Sequence, residues 1–223
     1  MAQCKWCDRS GWFLSVTSQG VCKNCAPVIA IDAESRARVL KESAEIIRSS
    51  KKPETRLSRC DLIIKYASAL ERYERRGITV LETPPSTIIS RFKNVREQIL
   101  AEAAQSTADA ARAKASVAST VKSKVGILSK ALLAIREYAA KSERPDGLAQ
   151  IEGAISRETH LAQLLGYLDE AKKAEFKGQK KKALDQYYEA LYLLRHDDVD
   201  DSLQRDQIGV IEAKIFEFGG KLG

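Results

Sequence analysis

Cys4 and Cys7 are answered by Cys22 and Cys25, so two Cys-x-x-Cys pairs lie 14 residues apart at the start of the chain. No other feature restricts the fold as tightly. Each pair forms a tight knuckle that aims two thiolates at one point. Two knuckles together complete a tetrahedral shell with Zn–S bonds of about 2.3 Å. A segment of about 25 residues cannot bury enough apolar surface to fold alone. A structural zinc ion supplies roughly 10–16 kcal/mol in such peptides and decides the matter. Four thiolates leave no open position for an activated water, so the expected cofactor is one structural Zn2+ rather than a catalytic ion. A dithiol redox pair and two disulfides are the competing readings; the paired spacing selects zinc.

Between the knuckles, Trp12, Leu14 and Val16 alternate with Phe13, Ser15 and Thr17, a period of two that predicts a strand. Ser18-Gln19-Gly20 supplies a turn, and Val21 starts the return towards Cys22. The expectation is a short β-hairpin with one knuckle at each end. Cys4, Cys7, Gly11, Gly20, Cys22 and Cys25, with a helix following, resemble the C4 treble-clef and zinc-ribbon fingers. The resemblance covers roughly an eighth of the 223 residues. It implies a metal and not a task, because such fingers bind DNA, RNA, proteins or only their own domain.

Scarce glycine and proline, with abundant Ala, Leu, Glu, Lys and Arg, favour helix for the rest. The fold class expected is mostly α: a small Cys4 zinc finger followed by an extended multi-helix body. No apolar run approaches the 18 residues of a membrane span, so no membrane partner is expected. The metal module begins at Cys4, which argues against a signal peptide. Zinc-type cysteine use fits a reducing, cytoplasmic setting. The net charge of +7 is uneven: residues 1–140 carry an excess of ten cations, and residues 141–223 a deficit of three. Such asymmetry suits an anionic partner, or contacts between unlike ends.

Four segments follow from the pattern: the finger at 1–30, a two-helix segment docked on it at 31–82, a long basic helical segment at 86–142, and a C-terminal helical domain at 146–223. Ile29, Ala33, Ala37, Leu40, Ala44 and Ile47 stripe the first helix, which Pro27 helps to open. Leu57, Cys60, Ile64, Ala67 and Leu70 stripe the second, and Gly77 ends it. Cys60, on that stripe without a neighbouring ligand, reads as a buried thiol. Thr83-Pro84-Pro85-Ser86 is the firmest break and marks a boundary. Residues 88–142 read as helix almost without pause, with Gly126 the place to bend. Their alanine-rich middle, 101–123, suits close packing, a self-pairing rod that joins copies, or a connector.

Residues 167–195 resemble a single tetratricopeptide-type hairpin. Gly178 falls at its turn, and Ala183, Tyr187 and Ala190 at the small, aromatic and small positions. No second copy follows at the required period. Lys172, Lys173, Lys177, Lys180, Lys181 and Lys182 surround that turn and can hold an anion, or simply face solvent. Asp197, Asp198, Asp200 and Asp201 lack the glycine and glutamate of a calcium loop, and Asp201 or Ser202 capping a helix is the simpler reading.

His160 and His196 lie in separate helical contexts with no nearby thiol or metal-ligand pattern, and no phosphate-cradling loop or nucleophile elbow occurs, so no enzyme is expected. The leading expectation is a non-catalytic interaction or scaffold (adaptor) protein with a macromolecular, most readily protein, partner. The alternative is a nucleic-acid-binding regulator that engages DNA or RNA through the finger and basic helices. Candidate contact residues are Trp6, Trp12 and Phe13 on the finger, and Arg91, Lys93, Arg96, Lys122 and Lys124 on the basic segment.

Overall fold

A computed structural model of the chain describes residues 1–196 and 201–222. The acidic run Asp197, Asp198 and Asp200, with the Asp201 side chain, lies outside the described residues. The fold is mostly α. Two short antiparallel strands, β1 (Ala2–Gln3) and β2 (Ser10–Gly11), precede seven helices among the described residues. These are α1 (Cys25–Ser49), α2 (Pro53–Glu74), α3 (Pro85–Ser116), α4 (Val121–Lys141), α5 (Asp146–Phe176), α6 (Lys180–Arg195) and α7 (Asp201–Glu217). Two compact units result: Met1–Ala103 with Lys141–Arg144, and Ala104–Ala140 with Pro145–Gly223. The division falls within α3, and Thr83-Pro84-Pro85-Ser86 lies inside the first unit.

In the first unit, α1 and α2 pack as an antiparallel pair around Ile29, Ala33, Leu40, Ile47, Leu57, Cys60, Ala67 and Leu70. Ile63 rather than Ile64 is the buried residue of its turn, so the stripe on α2 steps by three at that point. Gly77 takes φ +63, and the Gly77 and Ile78 amides close back on Glu74 and Tyr73 to end α2. Beyond it, the Ser86 amide and hydroxyl both donate to the Glu74 carboxylate and fix the start of α3. Arg96 on α3 holds Lys141–Arg144 in place: it donates to the Lys141 carbonyl at 2.7 Å and pairs with Asp61 and Glu97. Glu97 in turn accepts from Ser142 and from the Glu143 amide.

In the second unit, Ala104, Ala108, Ala111 and Ala115 form a buried seam against Leu128, Ala131 and Ile135 of α4 and Leu148, Ile155 and Ala162 of α5. The alanine-rich middle is thus helix, packed into a core through its small side chains. The helix breaks at residues 117–120, and Gly126 sits inside α4 with nothing within 4 Å of its would-be Cβ. Thr120 takes the role expected of Gly126, its hydroxyl accepting from the Ser123 amide to start α4.

Helices α5 and α6 form the hairpin expected from residues 167–195, with Gly178 at φ +66 in the turn. Ala171, Ala183, Tyr187 and Ala190 are buried between them, and α7 packs on α6 through Ile208, Ile211 and Ile215.

Candidate metal centre

The Sγ atoms of Cys4, Cys7, Cys22 and Cys25 all lie within 4.8 Å of one another, a group that could hold a metal ion. All four are free thiols, and Cys7 and Cys22 stand 3.9 Å apart at sulfur. A tetrahedron with 2.3 Å bonds has edges of about 3.8 Å, whereas a disulfide needs about 2.05 Å. The donor set therefore fits a tetrathiolate ion and not a cross-link.

The first knuckle lies inside the β1–β2 hairpin. The Cys4 amide donates to the Arg9 carbonyl, the Asp8 amide to the Cys4 carbonyl, and Asp8 turns the chain at φ +60. The second knuckle opens α1: Cys25 is the first helical residue, and the Cys25 and Ala26 amides donate to the Cys22 carbonyl. A helix N-terminus carries partial positive charge and favours thiolates beside it. This corrects the strand expected over residues 12–17. Trp12 and Phe13 lie in a turn after Gly11, and only Val16 bridges, to Cys22. An alternation of apolar residues makes a strand only when one face is buried, and Trp12 and Phe13 face solvent, 85% and 102% exposed. The Ser18-Gln19-Gly20 turn is present, with Gly20 at φ +76 and hydrogen-bonded to Thr17.

Electrostatics separate the thiols. Burial pushes Cys4 up, but amides of Cys7, Cys22 and Trp6 outweigh it and bring the thiol down to about 6. Cys22 is lowered chiefly by the Cys25 amide. Cys25, which shares its proton with Cys22 and Cys7, is raised to about 12. Cys25 would have to give up this last proton to serve as a ligand, because thiolates and not thiols bind a dication. Cys60 lies apart on α2, fully buried, and burial raises it to about 11.

The centre is tied to the helices by residues that the cysteine pattern does not reveal. Lys5 crosses over Gly20, where an added Cβ would meet its chain at 2.8 Å, and its Nζ donates to the Gly77 carbonyl at 2.8 Å. Arg76 donates to the Lys5 and Trp6 carbonyls and pairs with Asp8. Trp6 packs on Tyr73 with ring centroids 4.7 Å apart, beneath the Arg72 and Arg76 guanidinium groups. Tyr73 and Arg72 reach Asp32 of α1, which also takes a two-oxygen contact from Arg36. The only prior signal for this was the cluster of Arg72, Arg75 and Arg76 at the end of α2. Beside the finger, Val21, Ile29, Ala33, Ile78 and Thr79 line an apolar groove of about 450 Å³, with Glu34 at its edge.

Of the candidate contact residues, Trp6 is therefore a packing residue, and Trp12 and Phe13 are free of the core. Arg91, Lys93 and Arg96 belong to the first unit, and Lys122 and Lys124 to the second. Arg96 is 18% exposed and committed to Asp61, Glu97 and Lys141, while Lys93 pairs with Glu143. Arg91 leans over Phe92, 6.0 Å from the ring centroid. Lys122 and Lys124 are exposed in the first turn of α4, two positions apart, and so do not share a face. Comparison of the chain with protein-family models, curated proteins and solved structures gives no match.

Proposed function

We propose that the chain is a non-catalytic adaptor whose N-terminal finger, folded by one structural zinc ion, presents Trp12 and Phe13 to a protein partner. The observation that carries this reading is the near-complete exposure of two adjacent large aromatics in a loop whose two ends are pinned by the cysteine cluster. Neither ring packs on the finger or on α1 and α2, so their burial energy is available to an interface, where aromatic anchors dominate binding. The apolar groove beside the finger offers further contact area. Zinc fits the donor set because four thiolates at tetrahedral spacing are its usual structural shell. The resemblance to treble-clef fingers agrees, with the second knuckle opening a helix.

The nucleic-acid alternative draws on the basic balance of residues 1–140. Support for it is reduced because Arg96 and Lys93 are spent on internal carboxylates. Pairing of copies through α3 has similarly little surface, since its alanine seam is buried in its own unit.

Two measurements test the proposal. Elemental analysis of purified protein should find one zinc per chain. A nuclease-treated pull-down should then recover the same partner with wild type and with Leu133→Ala, and lose it with the Trp12→Ala, Phe13→Ala pair. A metal-free protein, or undiminished capture by the double variant, would overturn the reading.

A further inference from the structure

The second unit carries an unused surface at the tip of the α5–α6 hairpin. Residues 141–223 are net acidic, yet six of their cations, Lys172, Lys173, Lys177, Lys180, Lys181 and Lys182, crowd into eleven positions around Gly178. Lys173 is neutralised by Asp169 and Glu170. The other five are exposed and make no ion pair among the described residues. In their midst stands Phe176, 94% exposed, on the same face of α5 as Lys172 four positions before it. The single carboxylate in this stretch, Glu175, faces inward to Tyr187 and Lys214.

The placement of the lysines is locally unfavourable. Lys180, Lys181 and Lys182 fill the first turn of α6, where no acidic residue and no side-chain cap is present. Like charge at the positive end of a helix dipole costs stability, and an external anion there relieves it.

We infer that this tip docks the chain peripherally on an anionic membrane surface, with Phe176 entering the acyl boundary and the five lysines at the level of the lipid phosphates. A lone apolar residue ringed by flexible cations suits that layered environment. A nucleic-acid strand would call for successive aromatics along a groove, whereas Tyr187 of α6 and Phe218 after α7 pack against each other in the core. Lysine rather than arginine also fits a diffuse charged surface better than bidentate phosphate recognition. No membrane-spanning helix is needed, and among the described residues none is long and apolar enough to be one. This inference is independent of the role proposed for the finger.

The test is vesicle co-sedimentation of the full chain with phosphatidylcholine alone and with phosphatidylcholine containing about a third phosphatidylserine. Binding is expected only to the anionic vesicles, weakening by about tenfold or more on raising salt from 0.1 to 0.5 M. The Lys180→Glu, Lys181→Glu, Lys182→Glu variant should lose at least tenfold in partition and yet melt at the same or a higher temperature, because acids suit a helix N-terminus. Phe176→Ser should lose several-fold with the salt slope unchanged. Equal binding to neutral vesicles, or none to anionic ones, overturns the inference. So does lysine-dependent retention of an oligonucleotide by a chain that ignores vesicles.

Discussion

Chelating the proposed zinc ion should release the finger while leaving the helices standing, and Trp6 is placed to report it. Among residues 1–24 only Cys4, Val21 and Cys22 are buried. Full burial of Val21 contributes about 2 kcal/mol, the Trp6–Tyr73 ring contact about 1 kcal/mol, and the exposed Arg76–Asp8 pair less than about 1 kcal/mol. These few kcal/mol are well short of the roughly 10–16 kcal/mol that four thiolates gain from zinc. In a Trp12→Phe protein, Trp6 is the only tryptophan. Stripping the metal should red-shift its emission and raise its quenching by acrylamide to the level of the denatured chain. Far-UV circular dichroism should barely change, since residues 1–24 hold four strand residues and no helix. The reasoning fails if stoichiometric zinc leaves and Trp6 remains packed on Tyr73.

Three further outcomes follow from particular contacts. A Cβ on Gly166 would stand 2.5 Å from Val121 Cγ1; Gly166→Ala should therefore destabilise by about 1–2 kcal/mol in urea, despite the helical preference for alanine, and Val121→Ala should reverse the loss. The Arg36 hydrogen bond, with those of Tyr73 and Arg72, holds Asp32 below the usual carboxylate range; its contribution is present above about pH 4 and is lost as pH falls through the folded value, so stability of Asp32→Asn should fall less steeply in acid than that of wild type. Cys60 should resist a thiol reagent after chelation, when the other four cysteines react, and yield only in denaturant, because it is fully buried with a pKa raised to about 11.

Much of the helical body was readable from period alone: Ile29, Ala33, Leu40 and Ile47 lie on the buried face of α1, and Gly178 and Gly77 turn the chain where a left-handed residue was needed. The clustering of Cys4, Cys7, Cys22 and Cys25 was readable too, because thiol spacing is a local property. Three things were not. The alternation over residues 12–17 mimics a strand, yet of its apolar residues only Leu14 is even half-buried. Gly126 lost to Thr120 as a helix break because a glycine costs a long helix only about 1 kcal/mol, whereas a hydroxyl cap starts a new one. The commitment of Arg96 to Asp61, 35 positions away, and to Lys141, 45 positions away, is a tertiary fact that no window on the sequence contains.

The grip of Arg96 and Glu97 on Lys141–Arg144 has a consequence for how the chain is made. The amino-terminal body is discontinuous, since its final strip is encoded after the 37 residues of Ala104–Ala140 that belong elsewhere. On a ribosome, Arg96 can pair with Asp61 and Glu97 as soon as residue 103 emerges. Its bond to the Lys141 carbonyl, and the bonds from Ser142 and Glu143 to Glu97, must wait until residue 144 has cleared the tunnel. Protein fragments ended near residue 103 would lack those three bonds permanently.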